Sequence, residues 1–216
     1  DQGREDEVVW GMSETTTLGD VLLGIETGKS FQTTDRLARA DELGVLKVSA
    51  LSWTAFRPDE AKAVIGHEPE PHHRVKKGDL LISRANTLEL VGAVVLVDRD
   101  YPNRLLSDKT LRLLLNTDFV DAHYLLFALR AAAARKHIEL NATGTSDSMR
   151  NIGQGVITSI PLGSLPPLMV QRSVAAQLAA RLSAVEDARR SATAQLAEIE
   201  RLPARLLAQA FGESAA

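Results

Sequence analysis

Ile160-Pro161-Leu162-Gly163-Ser164-Leu165-Pro166-Pro167-Leu168 gives way, from Val170 to Leu202, to a run with no glycine and no proline. The three prolines remove backbone donors and fix φ, so the first nine residues cannot continue a helix or lie in a central strand. The run after them is dominated by Ala, Leu, Arg, Gln and Glu, all strong helix formers, and predicts one long helix. An apolar residue falls at every seventh position (Leu178, Val185, Ala192, Ile199, Leu206), with Leu182 and Leu196 completing a second seam position on either side of a gap at Arg189. Such a seam packs either on its own domain or on another helix. Thirty-three residues, 170 to 202, make a rod of about 50 Å, longer than a domain built from the remaining chain needs. The seam therefore predicts association with a second helix, and the small residues Ala175, Ala176, Ala179, Ala180, Ala184 and Ala188 allow close approach.

The rest of the composition sets bounds. With 216 residues, 44% hydrophobic and only nine aromatic, the chain suffices for one well-buried domain plus an extension, not for two full cores. The absence of cysteine excludes disulfides and thiolate metal sites. No stretch approaches the ~18 consecutive apolar residues of a membrane span, and the first residues are acidic, so the expectation is a soluble, cytoplasmic protein. A first residue of Asp reads as a fragment or a processed form. Net charge is -3, but residues 1–26 carry seven acidic groups against one Arg, which leaves 24 basic and 21 acidic residues in the body. That mildly basic body permits a phosphate-contacting face without demanding one.

In chain order, a short helix or strand is expected around Leu18 to Leu23, broken by Gly24 and Gly28. Gly28-Lys29-Ser30 opens a polar loop; Leu23 stands where a phosphate-binding loop needs its first glycine, so nucleotide binding is not the reading. Gly44 to Leu51 alternates like a half-buried strand, and Pro58 to Pro71 reads as loop. His67, His72 and His73 lack helical ligand spacing and any cysteine, and no metal site is expected. Strands are expected at Leu80 to Arg84, Val91 to Val97 and Lys109 to Leu115, then an amphipathic helix from about Val120 to Arg135. Asn141 to Gln154 reads as a polar recognition loop, followed by a strand at Val156 to Ile160.

No catalytic set emerges: the chain has no Gly-x-Ser-x-Gly, His-Glu-x-x-His, Ser-x-x-Lys or Gly-x-Gly-x-x-Gly pattern. Leu165-Pro166-Pro167-Leu168 lacks both the amide or carboxyl acceptor and the stacking aromatic of the amino-methyltransferase motif, so methyl transfer is not expected.

Leu18-Gly19-Asp20-Val21, Lys77-Gly78-Asp79-Leu80-Leu81-Ile82-Ser83-Arg84, Thr143-Gly144-Thr145, Ile160-Pro161-Leu162, Leu165-Pro166-Pro167-Leu168 with Gln171, and Leu202-Pro203 through Leu206-Leu207 to Ala210-Phe211-Gly212-Glu213 occur in an order that resembles the specificity subunit of type I restriction-modification enzymes. The resemblance runs over about residues 18–213. Val170 stands where that family commonly has Glu. The family usually carries two target-recognition domains and two helical regions; this sequence reads as one of each, which implies either a half-sized subunit that dimerises or one half of a longer polypeptide.

The resemblance implies an α+β fold: a mixed α/β target-recognition domain with a twisted sheet over residues 18–165, after a lead-in at 1–17, and a long coiled-coil-forming helix over 166–216. It implies a non-catalytic, sequence-specific DNA-binding subunit with no cofactor of its own, S-adenosylmethionine being carried by a partner methyltransferase subunit. Implied partners are double-stranded DNA, methyltransferase and restriction subunits, and a second copy of the chain through Leu178, Leu182, Val185, Ala192, Leu196, Ile199 and Leu206. Within that frame, residue chemistry ranks the contacts. Bidentate donors and amides suit base edges, so Arg84, Asn86, Arg150 and Asn151 come first, with Thr87, Thr145, Ser146 and Ser148 as shorter partners. Lys29, Lys47, Lys109 and Arg112 are the phosphate candidates, and Trp53 is a rim or core residue. The alternative is a coiled-coil-linked protein-interaction or small-ligand domain that never touches DNA.

Overall fold

The computed structural model describes residues 16–66, 69–146 and 149–212, and at Thr145 the backbone alone. The described chain divides into two compact units between Arg172 and Ser173. The first opens with β1 (Thr16–Thr17), a 3-10 turn at Leu18–Val21, β2 (Leu22–Thr27), β3 (Thr33–Leu37), β4 (Gly44–Leu46) and β5 (Ala61–Val64). It continues through β6 (Arg74–Val75), β7 (Leu80–Ser83), β8 (Ala85–Asn86), β9 (Val94–Leu96), β10 (Tyr101–Leu105) and β11 (Thr110–Leu115). Helices α1 (Ala122–Arg130) and α2 (Ala132–Asn141), strands β12 (Thr143–Ser146) and β13 (Met149–Asn151), helix α3 (Gln154–Thr158) and strand β14 (Pro161–Gly163) complete the body before α4 (Leu168–Gly212) begins.

β2, β11, β7 and β9 form an antiparallel sheet in that order. Every side chain of β7 is buried, which requires cover on both faces. Leu80 and Ile82 join Leu111, Leu113, Val94, Leu125 and Leu129 in one apolar cluster beneath the helices. Leu81 and Val95 face the opposite way, into a second cluster with Leu46, Ala50, Ala61, Val75 and Leu106. Strands β3, β5, β4, β10 and β6 make the other sheet, mixed because β4 and β10 run parallel.

Arg112 is paired in register with both Glu26 and Leu81, so it faces the second cluster from a central strand. Its guanidinium meets Glu26 Oε2 at 2.6 Å, Asp79 Oδ2 at 2.8 Å, and the carbonyls of His72 and Arg74 at 2.8 and 2.6 Å. With 6% of its surface exposed, Arg112 is an internal staple, and its expected phosphate contact is corrected accordingly.

Other local expectations also change: the strand expected from Gly44 to Leu51 ends at Leu46 and is followed by a 3-10 turn at Val48–Ala50, and the loop expected from Pro58 to Pro71 contains β5. The single helix over Val120 to Arg135 is two, because Ala131 is extended (φ -69, ψ 156). Arg130 donates to Val94 O at 3.0 Å, while Arg135 donates to Val91 O at 2.8 Å and to Leu88 O. On one unbroken helix these positions would lie about 140° apart and could not serve the same neighbouring segment. The loop expected at Asn141 to Gln154 contains β12 and β13, which pair with each other, and β13 pairs in turn with β8. The strand expected at Val156 to Ile160 is α3 and its exit; Ile157 and Ile160 are both buried, three apart, the spacing of a helical face.

The long helix is as expected and longer. α4 covers 45 residues and continues through Pro203. Its first turn is fastened by Gln171, 1% exposed, whose Oε1 accepts Asp121 N–H at 2.9 Å and whose Nε2 donates to Phe119 O at 2.9 Å and Pro166 O at 2.8 Å. Leu178, Leu182, Val185, Ala192, Leu196, Ile199 and Leu206 are all exposed. No helix among the described residues is long and apolar enough to cross a membrane.

Candidate functional site

Lysines expected as phosphate contacts come together in one place. Lys29, Lys47 and Lys109 line a recess of about 320 Å³, joined by Lys62, with Phe31 and Val48 as its apolar wall. Local chemistry sets each one. Gly28 lies so close to the β10–β11 connection that an added Cβ would sit 2.3 Å from the carbonyl oxygens of Leu106 and Ser107. Lys29 N–H then donates to Leu106 O at 3.2 Å, which fixes Lys29 against the turn bearing Lys109. That turn is closed by Thr110 N–H to Ser107 O at 3.0 Å. Lys62 stands on β5 opposite Val45 of β4, so strand register places it.

The four cations differ in their partners. Lys29 and Lys109 are exposed and have no side-chain acceptor among the described residues. Lys62 Nζ lies 3.6 Å from Asp35, itself fully exposed. Lys47 Nζ lies 2.7 Å from Glu60 Oε2, an oxygen that Ser49 Oγ also meets at 2.7 Å. Those two contacts, Lys47 first, hold the Glu60 carboxyl below the usual range.

Beside the recess lies the β8–β13–β12 sheet, which brings the base-edge candidates together. Asn86 is paired with Arg150 and Ala85 with Asn151. Arg84 is exposed, without a side-chain partner among the described residues, while its N–H donates to Lys109 O and its carbonyl accepts Ile152 N–H, each at 2.9 Å. Asn86 is different: it is 5% exposed, its Nδ2 donates to Val48 O at 3.1 Å, and its Oδ1 accepts Thr87 N–H at 2.9 Å. The amide therefore ties this strand to the recess wall and is spent on the fold. Arg150 Nη1 reaches back to Gly144 O at 3.1 Å. Gly144 adopts φ +137, and a Cβ there would meet Met149 O at 2.5 Å, so this hairpin needs glycine. Asn151 and Ser146 are exposed, and Thr87 is half-buried with its carbonyl accepting Leu90 and Val91 N–H. Ser148 and the Thr145 side chain lie outside the described residues.

Trp53 is a rim residue: Nε1 donates to Glu89 O at 2.7 Å and the Arg135 guanidinium stacks 5.0 Å from its ring centroid. No group of three metal-ligating side chains exists among the described residues, and His67 lies outside them. His73 is buried edge-on to Phe31 at 5.5 Å, and burial lowers its pKa. His137 Nε2 lies 3.2 Å from Ser159 Oγ, but among the described residues no carboxylate orients that imidazole.

Lys62 and Glu60 were missed because Pro58 to Pro71 reads as loop. The alternation Ala61-Lys62-Ala63-Val64 was the available signal of a half-buried strand.

No protein-family model matches the chain. The chain is 28% identical over 176 residues to the type I restriction enzyme EcoEI specificity subunit of Escherichia coli, a match covering 81% of this chain and 28% of that protein. Among solved structures, it is similar to the S subunit of the type I restriction-modification system from M. genitalium (16% identity, TM-score 0.54, 93% of this chain and 45% of that one). It is also similar to the HsdS subunit from Thermoanaerobacter tengcongensis (19%, TM-score 0.60, 94% and 50%). A chain in a structure of type I R-M complex assembly and conformational transition matches at 20% identity and TM-score 0.65, over 94% of this chain and 50% of that one. The chain thus spans under a third of the E. coli relative and half or less of each solved chain. The resemblance read from the motifs is borne out, as is the α+β class with its long C-terminal helix.

Proposed function

We propose that this chain is a non-catalytic DNA-reading module: one target-recognition domain and one helical region of a type I specificity subunit. In this reading the β8–β13–β12 sheet meets base edges, with Arg84 and Asn151 foremost, and the lysine recess meets the backbone. Phosphate contacts fix register and base contacts fix sequence, so a reader needs both on one rigid body. The observation that carries the reading is that both are joined here, through Arg84 N–H to Lys109 O and Asn86 Nδ2 to Val48 O.

α4 supplies the second half of the assignment. Its exposed seam pairs with the α4 of another copy and gives a two-fold dimer, which prefers an inverted repeat because protein symmetry is mirrored in the site. Antiparallel helices of at least ~50 Å hold two readers more than one ~34 Å DNA turn apart, leaving an unread spacer. The same helices dock methyltransferase and restriction subunits, with S-adenosylmethionine on the methyltransferase partner. Selection from random duplexes by the full chain is the test. A two-part, inverted-repeat consensus with salt-sensitive affinity is expected; a chain that binds no duplex at low salt refutes the reading.

A further inference from the structure

We propose that the recess grips the phosphodiester backbone through Lys29, Lys62 and Lys109, and that Glu60 holds Lys47 out of that contact as a built-in restraint on affinity; this rests on the DNA-reading function above. Lys62 is the added contact. Its place on β5 opposite Val45 puts it into the recess by strand register, and its pairing with Asp35 at 3.6 Å is an exposed one that solvent and salt screen. A phosphate oxygen can take that cation at little cost. Lys29 and Lys109 have no side-chain acceptor among the described residues to give up.

Lys47 is held more firmly. Its ammonium and the Ser49 hydroxyl both meet one oxygen of Glu60, at 2.7 Å each, and lysine and glutamate are each about one-third exposed (35% and 34%). The backbone reinforces the arrangement, because Lys47 N–H donates to Glu60 O at 2.9 Å and Glu60 N–H to Arg57 O at 3.1 Å. Glu60 therefore fills the coordination that a phosphate oxygen would take, and its negative charge stands beside the path of the incoming strand. Neutralising Glu60 releases the fourth cation to the backbone.

The test is equilibrium binding of the full chain to a random-sequence duplex across about 0.05 to 0.3 M salt, where each phosphate neutralised contributes a slope of about -0.9 in log K against log salt. Lys62→Gln should flatten the slope by about 0.9 and weaken binding about five-fold at 0.15 M salt, and Lys62→Arg should restore both. Glu60→Gln should steepen the slope by about 0.9 and tighten binding about five-fold. Circular dichroism shows that each variant is folded. If the wild-type chain binds duplex but Lys62→Gln leaves the slope unchanged, the recess is not the backbone site, while the DNA-reading function stands. If Glu60→Gln leaves slope and affinity unchanged, or weakens them in a folded protein, the restraint is refuted. A wild-type chain that binds no duplex refutes both.

Discussion

Replacing Arg112 by methionine should destabilise the first compact unit by about 3 kcal/mol, since the fork that joins the two sheets is lost. The figure follows from what would be left behind. The carbonyls of His72 and Arg74 lose buried partners, at about 1 kcal/mol each. Asp79, 11% exposed at its side chain, loses its cation but keeps Lys76 N–H at 2.8 Å, for about another 1 kcal/mol. Glu26 is 38% exposed, rehydrates, and adds little. Methionine also removes the Nε donor, which is buried without an acceptor, so the loss stays at the lower end of the ~3–5 kcal/mol typical of a broken buried pair. Urea unfolding followed by far-ultraviolet circular dichroism measures it. For a body of this size the same loss lowers Tm by about 6–12 °C. Arg112→Lys should recover only part, because an ammonium cannot reproduce the planar fork. A loss below about 1 kcal/mol, or unchanged stability with a flatter salt dependence of duplex binding, would refute the staple and return Arg112 to the phosphate contacts.

Leu178→Glu with Ile199→Glu should abolish self-association in sedimentation at tens of micromolar while α4 remains formed, because each carboxylate would be buried unpaired in the seam; a wild-type chain that sediments as a monomer removes the dimer. Arg84→Ala should cost about 1–3 kcal/mol on the selected site and relax preference at one base position, whereas an equal loss on all sequences would reassign Arg84 to phosphate. Glu42, whose carboxylate meets Arg36 at 2.6 and 2.9 Å and Arg39 N–H at 3.0 Å, is held down to about 2 from 4.5, so its contribution is present above pH 4.5 and is lost as pH falls through about 2. An NMR titration of that carboxyl should show the low midpoint, and Arg36→Gln should raise it toward the ordinary range; a Glu42 that titrates normally in the wild type refutes the pairing.

Much of the body was legible because burial writes itself into sequence. β7 carries a continuous apolar run, Leu80-Leu81-Ile82, since both its faces are covered, and α4 announces itself by a seven-residue repeat uninterrupted over residues 178–199. The β8–β13–β12 sheet was hidden for the converse reason. β12 and β13 are largely exposed and polar, so no alternation marks them, and only the left-handed Gly144 betrays the hairpin. The break at Ala131 left no trace, since Ala131-Ala132-Ala133-Ala134 is ideal helix sequence and the interruption comes from where Arg130 and Arg135 find carbonyls. At the candidate site, residue type ranked Lys29, Lys47 and Lys109, which line one recess, together with Arg112, whose chemistry is the same and whose strand position alone sends it inward.

Gln171 gives α4 a mechanical polarity. One side chain is shared among the N-terminal end of α1, the Pro166 turn and the first turn of the long helix, so three hydrogen bonds in parallel hold that turn. At the other end Pro203 lacks the N–H that would bind Ile199 O, so one rung of the ladder is missing there. Peeling therefore starts on the Pro203 side and travels toward Gln171, and the amide proton of Asp121 should be among the last to exchange with solvent as it does so.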